Sequence, residues 1–344
     1  MFDGIFWISA FISFIVVWIL APYAKKFLEG TGILGIDQQK KGKPRIATSG
    51  GLVVAAGIFA GGFFYIGIIT FFTHAHINLL ALLASYCSIL IITLVGFLDD
   101  INVRAEPKND KGLYEHRVGL KQWQKPLLTL SAAVPLMAIN AGVTSMDLPF
   151  IGKLDLGILY PLILIPIGVV CASNATNMLA GMNGLEAGLG FVSHITLGAY
   201  ALYFNRLESA LLSFTIAFSL LAFLRWNWYP AKFLPGDSLT YLIGSTFVSA
   251  VIIGNIEKFG IIIFIPWILE AFLKLRSKFG ARSLGILQKD GSLKAPYKKI
   301  YSLTHIVMKC GRFNEKQITF IIIAFEAIIC ILAFWFMVFG FKIF

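Results

Sequence analysis

Apolar stretches of about 20 residues recur along the whole chain, and a stretch that long with almost no charge has one common fate, a helix crossing a hydrocarbon core about 30 Å thick. The runs predict spans at 5–24, 50–72, 78–98, 125–143, 155–173, 184–204, 208–225, 237–255, 259–273 and 317–341. Because 58% of the 344 residues are hydrophobic and only 14% charged, nothing is left over for a soluble domain of any size. The expected fold is therefore an all-α polytopic membrane protein: one integral membrane domain over 1–344 with about ten transmembrane helices. The first 24 residues lack a basic start and a small-residue cleavage site, so they read as a retained first span.

With ten spans, the loops at about 25–49, 99–125, 174–183, 225–236 and 274–316 fall on one side. They carry 25 of the 29 Lys and Arg residues, and the other side holds only Lys153, Arg206, Lys258 and Lys342. By the positive-inside rule the basic side is cytoplasmic and both termini lie outside. The net charge of +11 is then a property of membrane-flanking loops, and no nucleic-acid partner is expected. Cys87, Cys171, Cys310 and Cys330 are scattered without paired spacing, which suggests neither a disulfide framework nor a zinc site.

Three polar islands interrupt the apolar pattern, all on the basic side. The richest is Asn-Ala-Thr-Asn-Met-Leu-Ala-Gly-Met-Asn-Gly-Leu-Glu-Ala-Gly at 174–188, which gathers Asn174, Asn177, Asn183, Gly181, Gly184 and Gly188 with Glu186 as its one charge. The glycines fit one stripe of a helix packed closely on a neighbour, the asparagines then cross-linking helices. They fit equally a broken helix end whose freed N–H groups and amides meet an anionic or metal-bound ligand. The second island, Asp99-Asp100 after Gly96, ends another run; adjacent acids there need water, a metal or cations unless they are a plain polar stop. The third, Pro235-Gly236-Asp237, opens a span. Among the loops, 106–117 reads as a solvated insert, Trp226 and Trp228 suit an interfacial belt, the lysines of 25–49 suit anionic headgroups, and Asp290-Gly291 suits a tight hairpin turn.

In this order and combination, Gly96-Phe-Leu-Asp99-Asp100, the 174–188 island and Pro235-Gly-Asp237-Ser-Leu-Thr240 resemble the signature of the polyprenyl-phosphate N-acetylhexosamine-1-phosphate transferases, glycosyltransferase family 4. The second island is most similar to the archaeal and eukaryotic branch; bacterial members generally carry aspartates where this chain has Ala180 and Asn183. The resemblance implies transfer of GlcNAc-1-phosphate from UDP-GlcNAc to dolichyl or another polyprenyl phosphate, giving lipid-PP-GlcNAc and UMP, the first committed step of lipid-linked oligosaccharide synthesis for N-glycosylation. It implies a cytoplasmic active site in a cell membrane or an endoplasmic reticulum membrane, Mg2+ or else Mn2+ as cofactor, and room for a homodimer.

Carried over residue by residue, the resemblance makes Asp99, Asp100, Lys125 and Asp237 catalytic. Asp237 is the leading metal ligand, with Asn177 adding a carbonyl oxygen. Asn174, Asn177, Gly181, Asn183, Glu186 and Arg282 fall on the substrate side, Asn183 at the uracil edge and Arg282, with Lys125, at the diphosphate. His305 stands alone where the bacterial muramyl-pentapeptide transferases carry several histidines, which argues against a peptidoglycan donor.

The chemistry suits these residue types. A lipid phosphate must approach a second anion while UMP departs, so neutralising cations and in-line positioning dominate. Magnesium needs only one or two carboxylates beside diphosphate oxygens. One of Asp99 and Asp100 would take the lipid phosphate's proton while the other orients Lys125 or a metal-bound water, direct attack being favoured over an aspartyl intermediate. The alternatives are a different UDP-HexNAc donor, and a transporter with polar islands in mid-span.

Overall fold

A computed structural model describes residues 2–73, 77–101, 103–106, 114–117, 120–148 and 152–340. The described residues form thirteen α-helices in chain order: α1 (Phe2–Gly30), α2 (Gly51–Ile68), α3 (Leu79–Ile101), α4 (Gln124–Thr129), α5 (Val134–Ala138), α6 (Ile165–Met178), α7 (Leu185–Tyr203), α8 (Leu207–Asn227), α9 (Gly236–Gly254), α10 (Glu257–Ile263), α11 (Ile265–Leu275), α12 (Leu303–Cys310) and α13 (Glu315–Phe339).

Among the described residues, seven stretches are long and apolar enough to cross a membrane: Gly4–Gly30, Gly51–Phe72, Leu79–Ile101, Tyr160–Met178, Leu207–Asn227, Gly236–Gly254 and Glu315–Phe339. Three expected spans look different. Over 125–143 the chain makes α4, a 3₁₀ turn at Leu130–Ala133 and the short α5, with Pro126 and Pro135 each removing a backbone donor. Over 259–273 the helix breaks at Phe264, just before Pro266. Over 184–204 α7 is continuous for 19 residues, but Glu186, Ser193, His194 and Thr196 dilute its apolar character.

Several helices outlast their expected ends. α1 runs to Gly30, α3 to Ile101 and α6 to Met178, so Asp99, Asp100, Asn174 and Asn177 sit on the final turns of helices instead of in loops. The described residues also form four two-stranded antiparallel hairpins: Leu34–Ile36 with Arg45–Ala47, Val103–Glu106 with Tyr114–Arg117, Ser145–Leu148 with Gly152–Asp155, and Ile286–Leu287 with Leu293–Lys294. The second carries the expected insert, of which residues 107–113 lie outside the described residues. The fourth turns at Asp290-Gly291 as expected, the Asp290 carboxylate accepting from Ser292 N at 3.0 Å and Ser292 Oγ at 2.6 Å.

α9 is the central post, packed against α3, α6 and α8, while α1, α2, α7 and α8 close one side and α13 covers α7. Lipid tails offer helices no hydrophobic reward for meeting, so close approach and hydrogen bonds must hold them. Accordingly a Cβ at Gly51 or Gly96 would come within 2.3 or 2.5 Å of the Ser238 backbone, and one at Gly244 within 2.5 Å of the Ala172 carbonyl oxygen. Serine hydroxyls add links between helices, Ser88 Oγ donating to Ala132 O at 2.6 Å and Ser209 Oγ to Ala250 O at 2.7 Å, each worth about 0.6 kcal/mol.

Candidate active site

The site is assembled around the first turn of α9. Leu234 N donates to Ala47 O at 2.8 Å and Gly50 N to Leu234 O at 3.1 Å, so residues 47–50 are zipped to the strand leading into α9. Gly236 has φ +70, and a side chain there would put its Cβ 2.3 Å from Asp100 Oδ2. Only glycine fits this turn. Into the space comes the Asp100 carboxylate from the end of α3, accepting from Asp237 N at 2.7 Å, Ser238 N at 3.2 Å and Ser49 Oγ at 2.9 Å. Asp100 thus satisfies donors that a helix start leaves open, and its charge complements the positive end of the helix.

Its neighbour does something else. Asp99 Oδ2 accepts from Lys125 Nζ at 2.6 Å, and the same ammonium reaches Asp237 Oδ2 at 2.7 Å. Asp99 Oδ1 accepts from Leu120 N at 2.8 Å, and Asn177 Nδ2 donates to Asp237 at 3.1 Å. Asn174, one turn earlier on α6, spends its amide on Val170 O and on Thr129 Oγ1 at 3.1 Å, tying α6 to the helix that carries Lys125. One buried cation therefore bridges two buried carboxylates from α3 and α9. Lys125, Asp99, Asp237 and Asn177 come together; Asp100 and Asn174 stand behind them.

The 174–188 island resolves as a broken helix: α6 stops at Met178, Gly181 (φ +105) and Gly184 (φ +80) turn the chain, and α7 begins at Leu185. The glycines therefore do not form a stripe on one helix. The expectation that this end offers free N–H groups is corrected for two of them. Gly181 N donates to Glu186 Oε1 at 2.6 Å and Asn183 N to Glu315 Oε1 at 2.7 Å, so the protein's own carboxylates fill the positive helix end. The Asn183 side-chain oxygen Oδ1 is likewise engaged by Ala231 N at 2.9 Å. Glu315 is joined by Lys40, which also pairs with Asp37 at 3.4 Å and lies 4.3 Å from the centre of the Tyr229 ring.

Arg282 is exposed on the segment after α11, and that segment is fastened from below. Lys274 Nζ donates to Ala281 O at 2.8 Å, and Arg282 N to Tyr297 Oη at 3.2 Å. Ser283 Oγ reaches both Glu270 Oε1 at 3.1 Å and Met178 O at 2.8 Å. His305 is buried under this segment beside the Tyr297 ring, and burial with the nearby charge of Lys274 pushes its imidazole down to about 4, so it is neutral at ordinary pH. Sequence reasoning missed Gln39. Its buried amide donates to Gly181 O and accepts from Gly285 N, both at 3.0 Å, joining the broken helix to the 281–287 segment.

The Asp99–Lys125–Asp237 cluster, the broken helix and the start of the Arg282 segment border one cavity of about 1510 Å³. Its polar head is lined by Asp99, Lys125, Asn177, Glu186, Asp237 and Arg282; from there it continues as an apolar groove between α6, α9 and the α10–α11 arm. Among the described residues no three His, Cys, Asp or Glu side chains gather as a metal cage. A hard divalent cation that keeps waters and takes substrate oxygens needs only one or two carboxylates, and the Asp99 and Asp237 oxygens, already close enough to share one ammonium, fit that requirement.

Helices of membrane-crossing length around a buried charged head and an apolar groove define a multi-pass membrane protein with a site at the end of its spans. Residues 82–255 match the model of glycosyl transferase family 4, and the chain belongs to that family. A Saccharolobus solfataricus protein provisionally named a UDP-N-acetylglucosamine–dolichyl-phosphate N-acetylglucosaminephosphotransferase is 36% identical over 330 residues, covering 95% of this chain and 94% of its own length. A Sulfolobus acidocaldarius protein with the same provisional name is 31% identical over 95% of this chain and 94% of its own length. The Dictyostelium discoideum protein of that name, without the qualifier, is 24% identical over 93% and 86%.

Proposed function

We propose that this protein transfers GlcNAc-1-phosphate from UDP-GlcNAc to dolichyl phosphate, releasing UMP, with its active site on the cytoplasmic side of a membrane crossed about ten times. One observation carries the reading in a chain of this family: a single lysine bridging Asp99 and Asp237 where a polar head meets an apolar groove. The head suits a nucleotide diphosphate and the groove an isoprenoid tail. An oxygen of the lipid phosphate attacks the sugar-bearing phosphorus, the bond to the bridging oxygen of the diphosphate breaks, and UMP leaves with that oxygen.

Lys125 draws the two anions together and neutralises charge as the bond shifts. Asp99 orients the Lys125 ammonium and takes any proton left on the attacking phosphate, which is largely ionised at neutral pH. Asp237, with Asn177 beside it, would hold magnesium or manganese, which would supply positive charge to the diphosphate there. Asp100 acts through α9, holding the turn that presents Asp237. Arg282 closes on the diphosphate from the loop side. Gly181, Asn183 and Glu186 shape the nucleotide edge, where Glu186 Oε2 has no protein partner.

The test is UMP release by purified protein given UDP-GlcNAc and dolichyl phosphate, with and without magnesium, for wild type, Asp237→Ala and Asp99→Asn. Lipid- and metal-dependent UMP that disappears in both variants supports the reading. Donor binding without turnover in the presence of competent lipid and metal would favour a transporter instead.

A further inference from the structure

The apolar groove ends on a polar pair that the transfer reaction does not use. It follows α9 past Thr240, Phe247 and Val251, and the rise from Asp237 to Gly254 is about 26 Å at 1.5 Å per residue. That nearly matches a hydrocarbon core of about 30 Å. At the far end Tyr160 Oη donates to Glu257 Oε1 at 2.6 Å, and both side chains line the groove. The tyrosine has a built seat: it is 2% exposed, and Gly142 leaves room for it, since a Cβ there would come 2.8 Å from the hydroxyl.

We propose that the Tyr160–Glu257 pair is the far stop of the lipid groove and sets how much of the polyprenyl chain the protein holds. The proposal rests on the transferase reading, which supplies the polyprenyl occupant. A hydrocarbon chain advancing over this pair would strip water from a carboxylate and return no hydrogen bond, an unfavourable exchange. The chain therefore turns out into the bilayer at this level. Isoprene units between the Lys125 head and the stop add binding; units beyond it add none. Were Glu257 only a first-turn acid complementing the start of α10, its replacement would affect acceptors of every length alike.

The experiment measures KM for a series of polyprenyl phosphates, from geranyl upward to long dolichyl chains, by UMP release with UDP-GlcNAc saturating. In wild type KM falls with each added isoprene unit and then levels off. In Glu257→Leu the levelling point moves to longer chains, lowering KM about fivefold for those chains only, as expected when further apolar surface is buried. Glu257→Gln keeps the acceptor for the Tyr160 hydroxyl and shifts the same way by less, which guards against a folding defect in the leucine variant. The same levelling point in all three proteins, or a wild-type KM that keeps falling with length, would overturn the stop while leaving the transferase reading intact. No UMP from any member of the series would overturn the transferase reading, and the stop with it.

Discussion

Two buried lysines in this protein meet carboxylates in opposite ways. Lys274 lies beneath the 276–302 segment with Glu270 at 3.5 Å, and every neighbour is saturated: the ammonium donates to Ala281 O, while Glu270 accepts from Ser283, from Ser302 Oγ at 3.0 Å and from Leu303 N at 2.8 Å. Lys125 instead shares its ammonium between two acids from different helices, although both lysines lie in the wall of the same cavity. The first arrangement is closed and ties backbone segments together. The second holds charge in a form that an incoming anion or cation can re-partner. Burial, ion pairing and a place in the cavity wall are common to both, so none of these by itself marks a site; what differs is whether the partners are already saturated by backbone and side-chain donors.

The comparison breaks first at Lys125. Lys125→Met is expected to lower UMP formation about 10³-fold, the scale of losing one charge-stabilising group, and a similar loss in Lys274→Met would erase the distinction. Asp100→Ala is expected to lower kcat about 10²-fold through misplaced Asp237, and to destabilise the protein by about 2 kcal/mol because two N–H groups and a hydroxyl lose their acceptor. Gln39→Ala is expected to raise the donor KM about tenfold while kcat and the acceptor KM stay within about twofold, since its amide joins two segments that border the proposed nucleotide end of the cavity. Glu270→Gln should lower thermal stability by about 2 kcal/mol with turnover changed less than about threefold.

The smallest effect expected is one of pH. The His305 imidazole is held at about 4 in the fold against 6.5 in the open chain, so between those values the unfolded chain takes up a proton that the folded one refuses. Stability is therefore full above pH 6.5 and declines as pH falls toward 4. Protease resistance of the 276–302 segment should decrease over that window in wild type, and this acid sensitivity should be absent in His305→Phe.

Much of this was legible in the sequence, unevenly. Long apolar runs mark α1, α2, α3, α8, α9 and α13 because a membrane span needs only length and apolarity. The same logic misses the breaks in α4–α5 and α10–α11, where Pro126, Pro135 and Pro266 act within runs that are still apolar. The resemblance picked out Asp99, Lys125 and Asp237, which the fold brings together. It made Asp100 catalytic beside Asp99 and left open which of the two took which job, because adjacent identical residues carry no sign of which faces a cavity and which faces a helix end. Gln39 had no signal at all: a glutamine in a polar loop looks like any other until the segments it joins are folded against it.

The close contact of Gly51 and Gly96 with the Ser238 backbone has a further consequence. With no side chain between them, α2, α3 and the start of α9 cannot slide past one another, so Asp99, Asp100 and Asp237 form one fixed jaw. Any movement that opens the polar head then falls to the opposite jaw, the Arg282 segment, which is held by hydrogen bonds and by side chains such as Leu284 packed beside Gly181. In a transferase of the kind proposed, an inhibitor that fastens this second jaw is expected to stop turnover without touching an acid.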